Sequence, residues 1–246
     1  MANLTEAQSL TLYISLYTIR KVEETLAALY PTDCIQSPMH LSIGQEWISV
    51  GVCSQLKPTD VVFGTYRSHA LYLANGGDLH RMIAELMGKV TGCCKGKGGS
   101  MHLCDRANGL IATSAVVGTT IPLAVGYAYG ERLQGRDTVV GVFFGDGAVE
   151  EGVFHESINF ASLHHLPVVF LCENNGYAIH TPLGARRSNG RLHEVVKSYG
   201  VAHGRLDSGD LDALVETLGA WVPSVRAGEG PLFLECLTYR WRQHVG

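Results

Sequence analysis

One stretch, VVGVFFGDGAVEEGVFHESINFASLHHLPVVFLCENNGYAI at residues 139–179, restricts the fold more than any other part of the chain. Residues 138–144 make a short apolar run of the kind buried on both faces of a parallel sheet. A Gly-Asp-Gly turn at 145–147 ends it, because glycine takes backbone angles that other residues resist. Residues 150–163 place Val153, Phe154, Ile158, Phe160, Ala161 and Leu163 mostly along one helical side, with Glu150 and Glu151 expected in the first turn. Residues 167–172 read as a second strand. A helix of about fourteen residues runs roughly 20 Å back along a sheet, and a strand of about six residues returns a similar distance. Asp146 and Asn175 therefore emerge together at the carboxyl ends of parallel strands, where open α/β sheets bind ligands. The amino terminus of the intervening helix faces the same crevice and favours an anion.

The side chains at that edge suit a hard cation. A carboxylate, an amide oxygen, a nearby backbone carbonyl and phosphate oxygens make an oxygen-only shell, which Mg²⁺ prefers over the nitrogen and sulfur ligands of zinc. Gly-Asp-Gly alone reads more simply as a tight turn with a solvated carboxylate, and Asn-Asn as a strand cap. The strand–helix–strand context and the Asn pair together favour a metal–phosphate site.

The rest of the chain alternates in the same way. Residues 5–30 form a helix with Leu12, Leu16, Ile19, Val22, Leu26 and Leu29 on one side, stopped by Pro31. Residues 44–56 and 79–87 are helical, and 60–64 is a strand. KVTGCCKGKGGS at 89–100 is a glycine-rich loop whose lysines either meet phosphate or form a solvated basic turn. Residues 121–132 form a helix rich in small residues, Ala124, Gly126, Ala128 and Gly130, which implies close packing within the domain or against another subunit. Residues 181–189 are a polar loop, 192–199 and 211–221 are helices, the second capped from LDSGD, and 231–237 is a last strand. This alternation specifies an α/β fold with a mainly parallel sheet and helices on both faces.

Composition removes several function classes. The chain has 246 residues, a formal charge of −4, 17% charged residues and no basic patch that suggests nucleic acid, and the weak acidity argues mildly against it. No apolar stretch approaches a membrane span, and Glu6 interrupts any secretory signal. Seven scattered cysteines without zinc-type pairing fit reduced thiols and a cytoplasmic protein. His155-Glu156 begins a metalloprotease motif, but Asn159 stands where its second histidine belongs.

Gly-Asp-Gly followed just under thirty residues later by Asn-Asn resembles the thiamine diphosphate signature. With HLSIGQE at 40–46, TYRSHA at 65–70, KGKGGSMH at 95–102, VVGTTIPLAVGYA at 116–128, ENNGYAIHTP at 173–182 and TYRWRQH at 238–244, the chain resembles the alpha subunit of the first component of 2-oxo acid dehydrogenase complexes. The resemblance implies a thiamine diphosphate-binding fold, here one domain over 1–246 with an N-terminal helical extension. Such subunits usually continue into a helical carboxyl-terminal region, so after 246 the expectation is either a short variant or a tail that was cut. It implies that Asp146 and Asn175 hold Mg²⁺ through side-chain oxygens and Tyr177 through its backbone carbonyl. Gly147 and Ala148 would offer backbone N–H groups to the diphosphate, and Tyr66 and Arg67 would hold its oxygens. Backbone groups at Ala115 and Val117 would meet the aminopyrimidine ring. His244 would reach the terminal phosphate or reacting centre, and His40 would transfer or orient a proton. Val245 stands where some relatives carry a regulatory serine.

The implied activity is decarboxylation of a 2-oxo acid with transfer of the acyl unit to lipoamide, the hard chemistry being the cofactor's. The carboxylate that activates the cofactor would come from a beta subunit, in an assembly of two alpha and two beta chains that can dock a lipoyl acyltransferase. Glu46 of GQE is given a structural role. Three other readings compete: a carboligase that passes the acyl unit to an aldehyde, an inactive scaffolding paralogue, and another Mg²⁺-phosphate enzyme. The last lacks a phosphate-binding loop or a dinucleotide fingerprint to support it.

Overall fold

The computed structural model describes residues 4–245. Its strands are β1 Val61–Thr65, β2 Leu110–Ser114, β3 Val140–Gly145, β4 Val168–Asn174, β5 Tyr177–Ala178, β6 Thr181–Pro182, β7 Ala202–Leu206 and β8 Leu232–Leu237. Its α-helices are α1 Glu6–Leu29, α2 Glu46–Cys53, α3 His69–Ala74, α4 Leu79–Leu86, α5 Thr120–Leu133, α6 Gly152–Leu163, α7 Leu183–Arg186, α8 Leu192–Val195 and α9 Leu211–Arg226. Six strands form one sheet in the order β2-β1-β3-β4-β8-β7, every pairing parallel, and β5 with β6 makes a small antiparallel hairpin beside it.

Alternate residues of the central strands supply two cores. Val62, Phe143, Val169, Leu171, Leu232 and Leu234 face one side, under α2, α9 and the buried stripe of α1. Val61, Phe63, Val142, Phe144, Phe170 and Phe233 face the other, under α5 and α6. Both faces are apolar because helices cover both, so β4 is buried along its whole length. Phe144 lies 5.6 Å from Phe154, 6.4 Å from Phe170 and 6.3 Å from Phe233 between ring centroids, a rigid aromatic floor directly beneath the Asp146 turn.

Several expected boundaries move for local reasons. The helix expected from 150 begins at Gly152, with Glu151 at its N-cap. Asp146–Glu150 form a 3-10 turn instead, which tucks Ala148 and Val149 under the sheet edge, so the two glutamates precede the helix rather than charge its first turn. The helix expected over 44–56 shrinks to α2: Gly44 at φ +97° lies outside its start, and it ends at Cys53. The 192–199 helix divides into α8 and a 3-10 turn ended by Gly200 at φ +69°, and α9 runs past Trp221 to Arg226. In α5, Ala124 and Ala128 provide the close packing, whereas a Cβ added at Gly126 or Gly130 would meet nothing within 4 Å. Among the described residues no helix is long and apolar enough to cross a membrane, and all seven cysteines are unpaired.

Candidate active site

The chain passes from β1 outward to β2, then returns to lay β3 on the opposite side of β1. That reversal opens a crevice between the carboxyl ends of β1 and β3, the topological switch point at which doubly wound sheets take ligands. A cavity of about 270 Å³ lies there. The segments following β1, β2, β3, β4 and β8 all reach it, bringing Tyr66 and Arg67, Val116 to Gly118, Asp146 to Ala148, Asn175 with Tyr177 to Ile179, and Arg240 with His244.

Asp146 is the buried anion of one wall, 1% exposed. Burial raises its carboxyl above the ordinary aspartate range, and the Arg186 guanidinium opposes that shift. Arg186, on α7, bridges Asp146 and Glu150. Gly147 faces Ala178 so closely that a Cβ there would sit 3.1 Å from the alanine methyl. The absence of a side chain is what leaves the 147–148 backbone open toward the cavity. Asn175 is fixed at both ends of its amide: Nδ2 donates to Gln45 Oε1 at 2.9 Å, and Oδ1 accepts from Tyr177 N at 3.1 Å. A buried carboxylate with an amide oxygen and a free-standing turn beside it is a donor set for a hard divalent cation, and it fits Mg²⁺.

The opposite wall is cationic and aromatic. Arg67, 7% exposed, donates through Nη1 to Leu41 O at 2.6 Å and through Nη2 to His244 O at 3.2 Å. Arg240 donates to His244 Nδ1 at 3.0 Å and to Ile179 O at 3.0 Å. An arginine N–H can only donate, so Nδ1 of His244 is the unprotonated nitrogen and Nε2 carries the hydrogen. His40 packs at 4.3 Å from Tyr66 and 4.9 Å from His244 between ring centroids, and its buried Nδ1 has no hydrogen-bond partner. Desolvation, followed by the charge of Arg67, lowers His40 to about 3 and His244 to about 4. Both rings are therefore neutral at pH 7, which leaves His244 a neutral N–H donor.

These two histidines set a pH dependence. Their folded pKa values lie below the ordinary 6.5, so above pH 6.5 neither folded nor unfolded rings take up protons. As pH falls from 6.5 toward 4, the unfolded chain binds protons that the folded chain refuses, and stability drops. Urea unfolding at pH 7 and pH 4.5 is expected to show a smaller loss for His40→Gln than for wild type. Equal losses would contradict the assignment of a buried neutral ring at 40.

The cavity wall gathers Tyr66, Arg67, Val117, Asp146, Gly147, Ala148, Asn175, Tyr177 and His244 from the expected site. Ala115 lies outside the lining, its place taken by Val116, and His40 stands behind Tyr66 and His244. Sequence reasoning gave no role to Gln45, Glu173, Arg186 or Arg240, which also line or border the cavity. Burial pushes Glu173 up to about 8, so it holds its proton at pH 7. Arg240 had a visible signal, four residues before His244 within TYRWRQH, whereas Arg186 had none beyond a polar loop.

Other conspicuous clusters prove structural. Glu46 accepts from Arg20 Nε at 2.6 Å and Gly44 N at 2.8 Å and is not part of the cavity lining. His69 bridges Glu23 at 3.1 Å and Ser100 at 2.8 Å, the bonding order of a nucleophile triad, but all three are sealed at 0% exposure. The glycine-rich loop wraps Glu85, whose oxygens accept backbone N–H groups of Cys94, Gly96, Gly98 and Gly99. That occupies the carboxylate of the Glu85, Cys93 and Cys94 group, and Lys89, Lys95 and Lys97 stay clear of the cavity.

Residues 15–246 match the family model described as dehydrogenase E1 component. The chain is 37% identical over 238 residues to the alpha subunit of acetoin:2,6-dichlorophenolindophenol oxidoreductase from Bacillus subtilis, covering 97% of this chain and 72% of that protein. It is 36% identical over 244 residues to the alpha subunit of the pyruvate dehydrogenase E1 component from Rhizobium meliloti, covering 99% and 70%. Among solved structures, a candidate thiamin diphosphate-dependent enzyme from Mycobacterium smegmatis superimposes with a TM-score of 0.52 at 19% identity, over 82% of this chain and 33% of that one, a likeness of fold. With nearly its whole length matched by model and relatives alike, the chain belongs to the dehydrogenase E1 component family.

Proposed function

We propose that this chain is the alpha subunit of a thiamine diphosphate- and Mg²⁺-dependent enzyme that decarboxylates a 2-oxo acid and transfers the acyl unit to lipoamide. One observation carries the reading: a single cleft opposes a buried carboxylate, Asp146, with a wall of Tyr66, Arg67, Arg240 and His244. A magnesium diphosphate is a ligand whose two charges match those two walls.

In this reading Asp146, Asn175 and the Tyr177 carbonyl hold Mg²⁺, and the Gly147 and Ala148 N–H groups take diphosphate oxygens. Tyr66 and the N–H groups of Arg67 face the same oxygens. Neutral His244 donates from Nε2 to a phosphate or substrate oxygen, and its proton is held there because Arg240 occupies Nδ1. Backbone groups at Val116 and Val117 border the aminopyrimidine end. His40, buried and neutral, orients the Tyr66–His244 pair from behind. When bound, thiamine diphosphate supplies a carbanion centre that adds to the substrate carbonyl and accepts the electrons released with CO₂.

In this reading the carboxylate that activates the cofactor comes from another chain. Glu46 is consumed by Arg20 and Gly44, and Glu173 keeps its proton. The mouth of the cleft is apolar, with Val116, Val117, Tyr177 and Ile179 each largely exposed, which fits a surface covered by another subunit. A beta subunit in a cytoplasmic assembly of two alpha and two beta chains would supply the activating glutamate and close the cleft. A lipoyl acyltransferase would then receive the acyl unit.

The test compares the purified single chain with the complex it forms with its partner. Each receives thiamine diphosphate, Mg²⁺ and a 2-oxo acid, and reduction of a dye acceptor is followed. Turnover is expected only in the complex, and full turnover by the single chain would refute the shared active site.

A further inference from the structure

Glu235 is a fully buried carboxylate in the middle of β8, beside Cys172 on β4. It lies outside the cavity, yet both of its oxygens are engaged. Oε1 accepts from Asn174 Nδ2 at 2.7 Å. Oε2 accepts from the backbone N–H of His193 at 3.1 Å and from its Nδ1 at 2.6 Å. Asn174 uses its other amide atom on the chain ahead: Oδ1 accepts from Gly176 N at 3.0 Å, where Gly176 turns the chain at φ +80°. Between Asn174 and His193 runs the segment that carries Asn175, Tyr177 and Arg186. One carboxylate therefore ties down both ends of that segment.

We propose that Glu235 is a positioning residue: it pins residues 175–192 at both ends and thereby holds the Asn175–Tyr177 turn in the shape that receives the divalent cation. The ligand in this statement rests on the function proposed above, and the pinning itself does not. The chemistry requires a carboxylate. Glutamine has the same shape but must present N–H on one side, either to Asn174 Nδ2 or to the His193 backbone N–H. Asn174 can turn over to meet it only by pointing Nδ2 at the Gly176 N–H. Every orientation of Glu235→Gln leaves two donors facing each other, which breaks either the 174–176 turn or the tether of α8.

The experiment uses the complex as purified. It reads amide hydrogen exchange without ligand, and half-saturating Mg²⁺ at fixed thiamine diphosphate by calorimetry. Glu235→Gln is expected to speed exchange across 175–192 and leave the rest of the sheet slow. It should also raise half-saturating Mg²⁺ roughly tenfold or more, the usual effect of losing a residue that orients metal ligands. Two single-sided variants divide the effect and serve if Glu235→Gln does not fold. Asn174→Ala should loosen 175–178 and weaken Mg²⁺. His193→Ala should loosen 186–193 and leave half-saturating Mg²⁺ within about threefold. Glu85→Gln, an equally buried carboxylate serving the glycine-rich loop, should move neither reading within 175–192. Exchange at the wild-type rate in Glu235→Gln and Asn174→Ala would overturn the proposal. So would faster exchange with unchanged Mg²⁺ dependence. A wild-type complex that binds no magnesium diphosphate would refute the proposed function instead, and the pinning would then stand or fall on exchange alone.

Discussion

Asp146→Ala is expected to abolish Mg²⁺-dependent binding of thiamine diphosphate, weakening it by about 100-fold or more, equivalent to roughly 3 kcal/mol. The aspartate is the one ionised side chain among the three proposed metal ligands; Asn175 and the Tyr177 carbonyl contribute dipoles only. Mg²⁺ sheds water reluctantly and leans on one or two carboxylates plus substrate phosphates, so losing the carboxylate of the proposed ligand set removes most of the charge that draws it in. The same substitution strands Arg186, which now bridges Asp146 and Glu150. Calorimetry on the complex, with circular dichroism to verify folding, checks the result. Retention of wild-type affinity in a folded variant would mean that the cation is held elsewhere.

The second large effect is on stability. Gly44→Ala should lower the melting temperature by about 6–12 °C, from a loss of roughly 3 kcal/mol in a chain of this size. Gly44 sits at φ +97°, where an L residue is strained, and an added Cβ would collide with the Tyr239 carbonyl oxygen and the Trp241 ring. The segment it would push away is anchored by Thr238 Oγ1 donating to Gly44 O at 2.9 Å, by Trp241 N on Ile43 O at 3.3 Å, and by Arg20 stacked 4.9 Å over Trp241. That segment ends at Arg240 and His244, so activity should fall further than stability alone explains. Differential scanning calorimetry beside turnover separates the two, and an unchanged melting temperature would show that the 238–241 segment can shift at little cost.

The parts of this fold legible in the sequence are those where burial and period agree. The runs at 138–144 and 167–172 read as covered strands from their apolar composition and length, and α1 carried its stripe at Leu12, Ile19 and Leu26. β2 and β7 were missed for the opposite reason. They form the two edges of the sheet, and AHGRL in β7 is mostly solvent-facing, so no apolar alternation marks it. In the site, Asp146 and Asn175 were readable because their spacing encodes one strand–helix–strand unit. Arg186 and Gln45 were not, because they arrive through contacts across 40 and 130 positions, which no local pattern records. Glu235 was hidden more deeply: within an apolar strand, a single buried carboxylate has no meaning until its partners are known.

The order of strands gives the cleft a built-in ruler. Neighbouring strands in any sheet are about 4.8 Å apart, and the proposed phosphate-binding, metal-binding and histidine-bearing segments leave β1, β3, β4 and β8, which are consecutive neighbours. Tyr66, Arg67, Asp146 and Asn175 stand one or two residues beyond their strand ends, so for them backbone hydrogen bonds set the relative distances more than side-chain packing does. A point substitution can blunt one mark on such a scale but cannot respace it. Loops at the mouth are free to retune which molecule reacts, while the length of the ligand that can be anchored stays locked to the sheet.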